Sequence, residues 1–241
     1  MRIQRILTAL PLIGALGLAG FVPAANAIQI RVSQETAAGL GNFDANILGF
    51  INPFDVSGLT PAQFYSYGNP DNASYNGQDH GGPDTISSTT QLFFADTSGG
   101  LAFVGVHDRT QPDGDTGGGS AQMRFLLSGD TVGPLLDDDP GEGLTVGGGG
   151  TSISTDHTWL QCCTDGFMVG YLDGTGWELI GAFASTPTGI TAWQATGDGS
   201  SESLAFVAGQ RVRFDVVPEP ATLALLGIAL VGIGATRRRS R

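Results

Sequence analysis

Two short acidic runs are the first groups in the chain that could bind something. Asp113-Gly114-Asp115 and Asp137-Asp138-Asp139-Pro140-Gly141-Glu142 set hard oxygen donors in segments rich in Gly and Pro. Calcium takes about six to eight oxygens at roughly 2.3–2.6 Å, several of them backbone carbonyls that turns expose. Adjacent carboxylates repel unless water or a cation lies between them. Asp113, Asp115, Asp137, Asp138, Asp139 and Glu142 are therefore the candidate calcium ligands, with a solvated acidic turn as the alternative. Glu142 follows Asp137 too soon for an EF-hand loop, and no Gly-rich nonapeptide repeat is present. Calcium is the only cofactor the sequence suggests, and its role would be structural.

Catalytic chemistry has little to build on. His80, His107 and His157 are the three histidines. No G-x-S-x-G elbow accompanies them, and no H-E-x-x-H zinc helix. His107-Asp108, at the end of an apolar run, offers a base beside a carboxylate, a pairing that chance supplies readily. A glycosidase needs two carboxylates across a cleft, and nothing singles out a pair among so many acids. No catalytic residue is assigned, and the expected function is non-catalytic. Trp177 and Trp193 are candidate glycan contacts, with Trp159, Tyr65, Tyr67 and Tyr75 as further rings. Core packing is the competing use of such rings. The only cysteines, Cys162 and Cys163, are adjacent. In an oxidising compartment they are a candidate disulfide, a strained one because neighbouring Cα atoms sit closer than a bridge prefers. Two buried thiols or an intermolecular bond are the alternatives.

The two ends read as addresses. Arg2 and Arg5 precede an apolar stretch from Ile6 to Gly20, and Ala25 and Ala27 give the A-x-A spacing that signal peptidase accepts. Residues 1–27 are thus expected to be a signal peptide, cut after Ala27. At the other end, Pro218-Glu219-Pro220 precedes an apolar segment at about 221–236. Arg237, Arg238, Arg239 and Arg241 follow it as stop-transfer charges. Fifteen or so residues at ~1.5 Å each reach about 22 Å, short of the ~30 Å hydrocarbon core, so such a helix would span only marginally.

Residues 217–241 resemble the PEP-CTERM sorting domain of Gram-negative bacteria: the Pro-Glu-Pro triplet, the short Leu/Ala/Gly-rich helix and the arginine cluster occur together. The resemblance implies recognition by an exosortase, a membrane-embedded Cys peptidase that processes such tails. It also implies transient anchorage in the membrane, and a final place at the cell surface or in a biofilm matrix with extracellular polysaccharide. A carbohydrate-binding module, calcium-stabilised or not, is the alternative function, and a secreted hydrolase the second.

Between the addresses lies a domain expected at 28–216. The whole chain has 241 residues and a formal charge of −12; all eleven basic residues are Arg. Residues 28–217 hold five of those arginines against 22 Asp and Glu, a net charge of −17. Such a domain repels phosphate backbones, so no nucleic-acid partner is expected. Glycine supplies 38 residues, which disfavours helices. Alternating runs at 28–32 and 212–216, and short apolar or alternating runs at 91–95, 101–107, 121–127, 151–155, 167–172, 177–184, 189–195 and 203–208, sit between Gly, Asp, Pro, Ser and Thr. They predict an all-β single domain, a β-sandwich or jelly roll. The first and last runs are expected to pair and bring the ends together. Residues 35–85 are irregular, with a helical turn expected near Pro61–Phe64.

Overall fold

The computed structural model describes residues 28–67, 74–108, 118–139, 141–160, 163–173 and 175–217. The segments at 1–27 and 218–241, with the expected signal peptide, its Ala25 and Ala27, the sorting residues Pro218, Glu219 and Pro220, the helix at 221–236 and the terminal arginines, lie outside these residues. Among the described residues no helix is long and apolar enough to cross a membrane.

The strands in chain order are β1 (Gln29–Gln34), β2 (Ile47–Ile51), β3 (Phe54–Val56), β4 (Thr89–Thr97), β5 (Gly100–His107), β6 (Gly119–Ser128), β7 (Gly133–Asp137), β8 (Thr145–Gly147), β9 (Ser152–Trp159), β10 (Asp165–Leu172), β11 (Glu178–Phe183), β12 (Ala192–Gly197), β13 (Ser200–Leu204) and β14 (Val212–Val217). They form two sheets. The first runs β2-β1-β14-β11-β6-β9-β8, and the second β13-β12-β4-β5-β10-β7, with β3 also paired to β4. Most pairs are antiparallel; β12 and β3 lie parallel to β4.

Period-two patterning decides which face is buried. On β6 and β9 the burial alternates strictly, Ala121, Met123, Phe125 and Leu127 facing Ile153 and Trp159 inside. The enclosed core joins residues of both sheets, Phe94, Phe103 and Phe167 from one and Phe125, Leu179 and Phe214 from the other. β4 and β5 are instead buried along nearly their whole length. Their outer face is covered too, by β3 and by α1 (Pro61–Tyr65), which build a second core of Phe54, Phe64, Tyr65, Tyr75, Phe93, Val104 and Met168. The expected turn near Pro61 is this helix. Thr60 and Gln63 close it with a capping box, and Pro61 opens it with a backbone angle already suited to a helix.

The ends of the domain meet as expected. β1 and β14 pair antiparallel with Gln29 opposite Val217. At that end of the sandwich lie the short connections 52–53, 98–99, 129–132, 148–151 and 198–199, together with the 57–60 segment after β3, whose Leu59 carbonyl accepts from the Ser98 N–H. At the opposite end run the longer connections 35–46, 184–191 and 205–211. The sandwich thus has a tight-turn end, where the termini are, and a long-loop end.

Candidate functional site

The chemistry-bearing side chains gather inside the long-loop end. β5 finishes there with His107, and β10 starts there with Asp165 directly opposite it. Thr90 of β4 lies on the other side of His107. Their parity is that of Leu92, Phe103 and Phe167, so all three point between the sheets. From the first sheet His157 and Trp159 of β9 face them. The His107 and His157 rings lie 5.4 Å apart, and His107 stacks on Trp159 at 5.4 Å with 12° between planes. His157 stacks on Phe167 at 5.7 Å. Both imidazoles are fully buried.

Each imidazole has one polar partner. Thr90 Oγ1 meets His107 Nδ1 at 2.8 Å, and Asp137 Oδ1 meets His157 Nε2 at 3.3 Å. Among the described residues His107 Nε2 and His157 Nδ1 have no hydrogen-bond partner, and neither do Asp138 Oδ1 and Asp165 Oδ2. The arrangement is two halves of a relay, a hydroxyl on one histidine and a carboxylate on the other, without a link between them. Asp108, the sequence neighbour that pairs with His107 on paper, turns away. It adopts a left-handed φ of 63° and accepts from the Ser88 N–H at 2.8 Å and from Trp159 Nε1 at 2.9 Å. His80 is exposed at the end of a 3-10 turn.

The acidic run 137–142 is drawn apart. Besides Asp137 on His157, Asp138 accepts from the Tyr65 hydroxyl at 2.9 Å and Asp139 from the Tyr67 hydroxyl at 2.7 Å. Glu142 accepts from the Thr158 N–H at 3.4 Å. The acids face different donors, and among the described residues no group of three or more His, Cys, Asp or Glu is placed to hold a metal ion. Asp113 and Asp115 lie outside the described residues. Cys163 is disulfide-bonded; Cys162, the only other cysteine in the sequence, lies outside the described residues.

The candidate glycan contacts require correction. Trp177 and Trp193 are 1% and 2% exposed. Trp177 stacks on Phe94, and Trp193 packs on Phe183 while its Nε1 donates to the Ala205 carbonyl at 2.9 Å. Both stand at inward positions of alternating strands, where ring area stabilises the core. Tyr65 and Tyr75 are enclosed likewise in the second core.

Burial also sets the protonation of the cluster. It pushes the Asp138 carboxyl up to about 8, with Asp165, Asp139 and Asp137 adding to the rise against the opposing bond from Tyr65. It pushes Asp165 up to about 6, against the His157 ring and the Gly166 N–H. His107 is driven well below its ordinary value by burial and by His157 beside it. Asp137 is pushed up by burial, but its bonds to His157 and to the Leu144 and Gly143 N–H groups outweigh that and hold it below the usual range.

Asp138 thus binds its proton more tightly folded than unfolded. Its contribution to stability is complete below about pH 4 and declines as pH rises through about 8. D138N carries no such charge. The melting temperature of D138N minus that of the wild type is expected to grow by roughly 10 °C between pH 5 and pH 9. A flat difference over that range in thermal melts would show Asp138 to ionise as an ordinary surface acid.

Sequence reasoning named His107, His157 and Asp137 but not Asp165, Thr90 or the tyrosine–aspartate bonds. Parity was the usable sign: Asp165 shares the odd-numbered face of Phe167 and Val169.

The other decisive segment follows β14 without a spacer. Residues 216–239 match the family model of the PEP-CTERM protein-sorting motif. The chain carries a PEP-CTERM sorting motif. The resemblance seen in the sequence is therefore correct, and the motif marks an exported protein, held transiently in the membrane and processed by an exosortase. No curated protein and no solved structure matches the chain.

Proposed function

We propose that this PEP-CTERM protein is a non-catalytic component of the cell surface or extracellular matrix, delivered by exosortase cleavage at Pro218-Glu219-Pro220. The observation that carries the reading is the motif at 216–239, joined directly to the last strand of an acidic sandwich. Two features support the absence of catalysis: the imidazoles are sealed between the sheets, and the hydroxyl and carboxylate partners sit on different rings. Signal peptidase acts first in this scheme, after Ala27. Association with extracellular polysaccharide would fall to exposed surface, since Trp177 and Trp193 are enclosed. A cleft of about 410 Å³ bounded by Phe183, Pro187, Phe206 and Val207 at the long-loop end is one such surface among the described residues.

Expression in an exosortase-bearing host tests the reading. The wild-type chain is expected to leave the inner membrane trimmed at the motif. A variant with Pro218, Glu219 and Pro220 all changed to Ala is expected to stay there with its tail, as is the wild type in a host lacking exosortase. Mass spectrometry of the C-terminus reads the outcome, and an untrimmed chain in the cytosol would overturn the proposal.

A further inference from the structure

We propose that in the unprocessed protein the tight-turn end of the sandwich rests on the membrane surface, with the turns 98–99, 129–132, 148–151 and 198–199 against lipid headgroups. The His107–His157 end is then held farthest from the bilayer. The inference rests on the export and anchorage just described and adds an orientation and a contact surface to it.

Chain length makes the argument. Val217 is fixed in β14, opposite Gln29, and the apolar stretch of the tail begins at Ala221. Four Cα steps reach at most about 14 Å even fully extended. The headgroup layer on each side of a bilayer takes up about 5–8 Å of that. The end of β14 therefore cannot stand clear of the membrane. β14 is also not at a corner. It is third in the order of its sheet, with β2 and β1 on one side and β11, β6, β9 and β8 on the other. A central strand tethered so closely brings its neighbours' turns down with it, and these turns are short enough to present one even end. From there β6 alone, Gly119–Ser128, extends roughly 30 Å away.

The charge at this end says what kind of contact it is. The turns and the nearby 173–177 connection carry Asp130, Asp173 and Asp198 and no basic residue. Anionic headgroups attract Lys and Arg at close range and repel these acids. The contact is imposed by the tether and not by affinity. Cleavage at the motif therefore frees a domain of charge −17 from its tether.

The test uses the full-length precursor from a host lacking exosortase, reconstituted in phosphatidylcholine–phosphatidylglycerol vesicles that carry a headgroup nitroxide. Single cysteines for a maleimide fluorophore go at Ser98→Cys and Asp198→Cys on the tight-turn end. Asp156→Cys reports the outer face of the first sheet, and Leu40→Cys and Val207→Cys the long-loop end. Quenching is expected to be severalfold stronger at 98 and 198 than at 40, 156 and 207. A twenty-residue Gly-Ser insert after Val217 is expected to erase the difference. Strong quenching at 156 would mean a domain lying on its side. Equal quenching everywhere, none at 98 and 198, or a chain that fails to float with the vesicles also overturns the proposal. In intact cells, failure of an impermeant maleimide to reach any of the five positions would instead refute the export on which the inference rests.

Discussion

Glu35→Ala is expected to cost the domain about 3 kcal/mol, the lower edge of the range for breaking one side of a buried ion pair. Glu35 follows β1 and its side chain is fully enclosed. The carboxylate accepts from Arg211 three times, at the backbone N–H (3.0 Å), Nε (3.1 Å) and an NH2 group (2.5 Å). It also accepts from the N–H groups of Gly39 (3.2 Å) and Gly41 (2.5 Å). One side chain thus fixes both the connection out of β1 and the entry into β14. The Arg211 side chain keeps 39% of its exposure, so water screens part of the pair and the top of the range is not reached. The Arg211 side-chain bonds, helped by the three backbone N–H groups and opposed by burial, hold the Glu35 carboxyl down at about 2. A carboxyl depressed in the folded state stabilises above its unfolded value and loses that contribution as pH falls through the folded one. The gap between wild type and E35A in urea melts is therefore expected to be full at pH 6 and to close between about pH 4.5 and pH 2. E35Q keeps the shape without the charge and is expected to lose nearly as much at pH 6. A loss below about 1 kcal/mol for both would show the pair to behave as a surface salt bridge.

Phe103→Ala is expected to cost about 3–5 kcal/mol through lost burial and the cavity left behind. Phe103 is fully buried at the centre of the core between the sheets. Its ring meets Phe94 at 5.2 Å and Phe167 at 5.8 Å in its own sheet, and Phe125 at 5.1 Å and Phe214 at 5.9 Å across the gap. Four rings held around one point cannot all move in to fill its place, because each is fixed in its own strand. F103L leaves less space and is expected to lose clearly less. For a domain whose whole stability is about 5–15 kcal/mol, the alanine variant has lost about a fifth or more. Urea midpoints with unchanged slope are the measurement. A loss under about 1 kcal/mol would mean that the sheets close over the gap.

These two residues differ in how far the sequence announces them. Phe103 lies in a continuous apolar run, Leu101–His107, which announces a strand buried on both faces; parity puts it on one face with His107, but only the packing shows that this face meets the first sheet. Parity does read β6, β9 and β14, whose apolar and polar residues alternate. It fails for β2, β3, β7 and β8, which are short or carry polar residues at both parities. It also fails for the second core, because Phe54, Phe64, Tyr65 and Tyr75 follow no single period and are joined only by folding over the second sheet. Glu35 is invisible locally, since its partner is 176 residues away. Trp177 and Trp193 were open to two readings because ring type does not reveal burial. The acids 137–142 look convergent in sequence, yet strand ending and turn send each to a different donor. The sorting tail was fully legible, because a linear motif is read without its fold.

The place of β14 between β1 and β11 has a consequence for secretion. For a chain threaded across the membrane behind the expected signal peptide, β14 arrives last. Without β14 the first sheet can form only in two parts, β2-β1 and β11-β6-β9-β8, each ending on the edge that β14 joins. Such edges recruit other strands readily, and the closing pair joins residues nearly the whole domain apart, a slow step for a β protein. The first sheet can therefore be completed only once the last strand, ending at Val217, is on the far side.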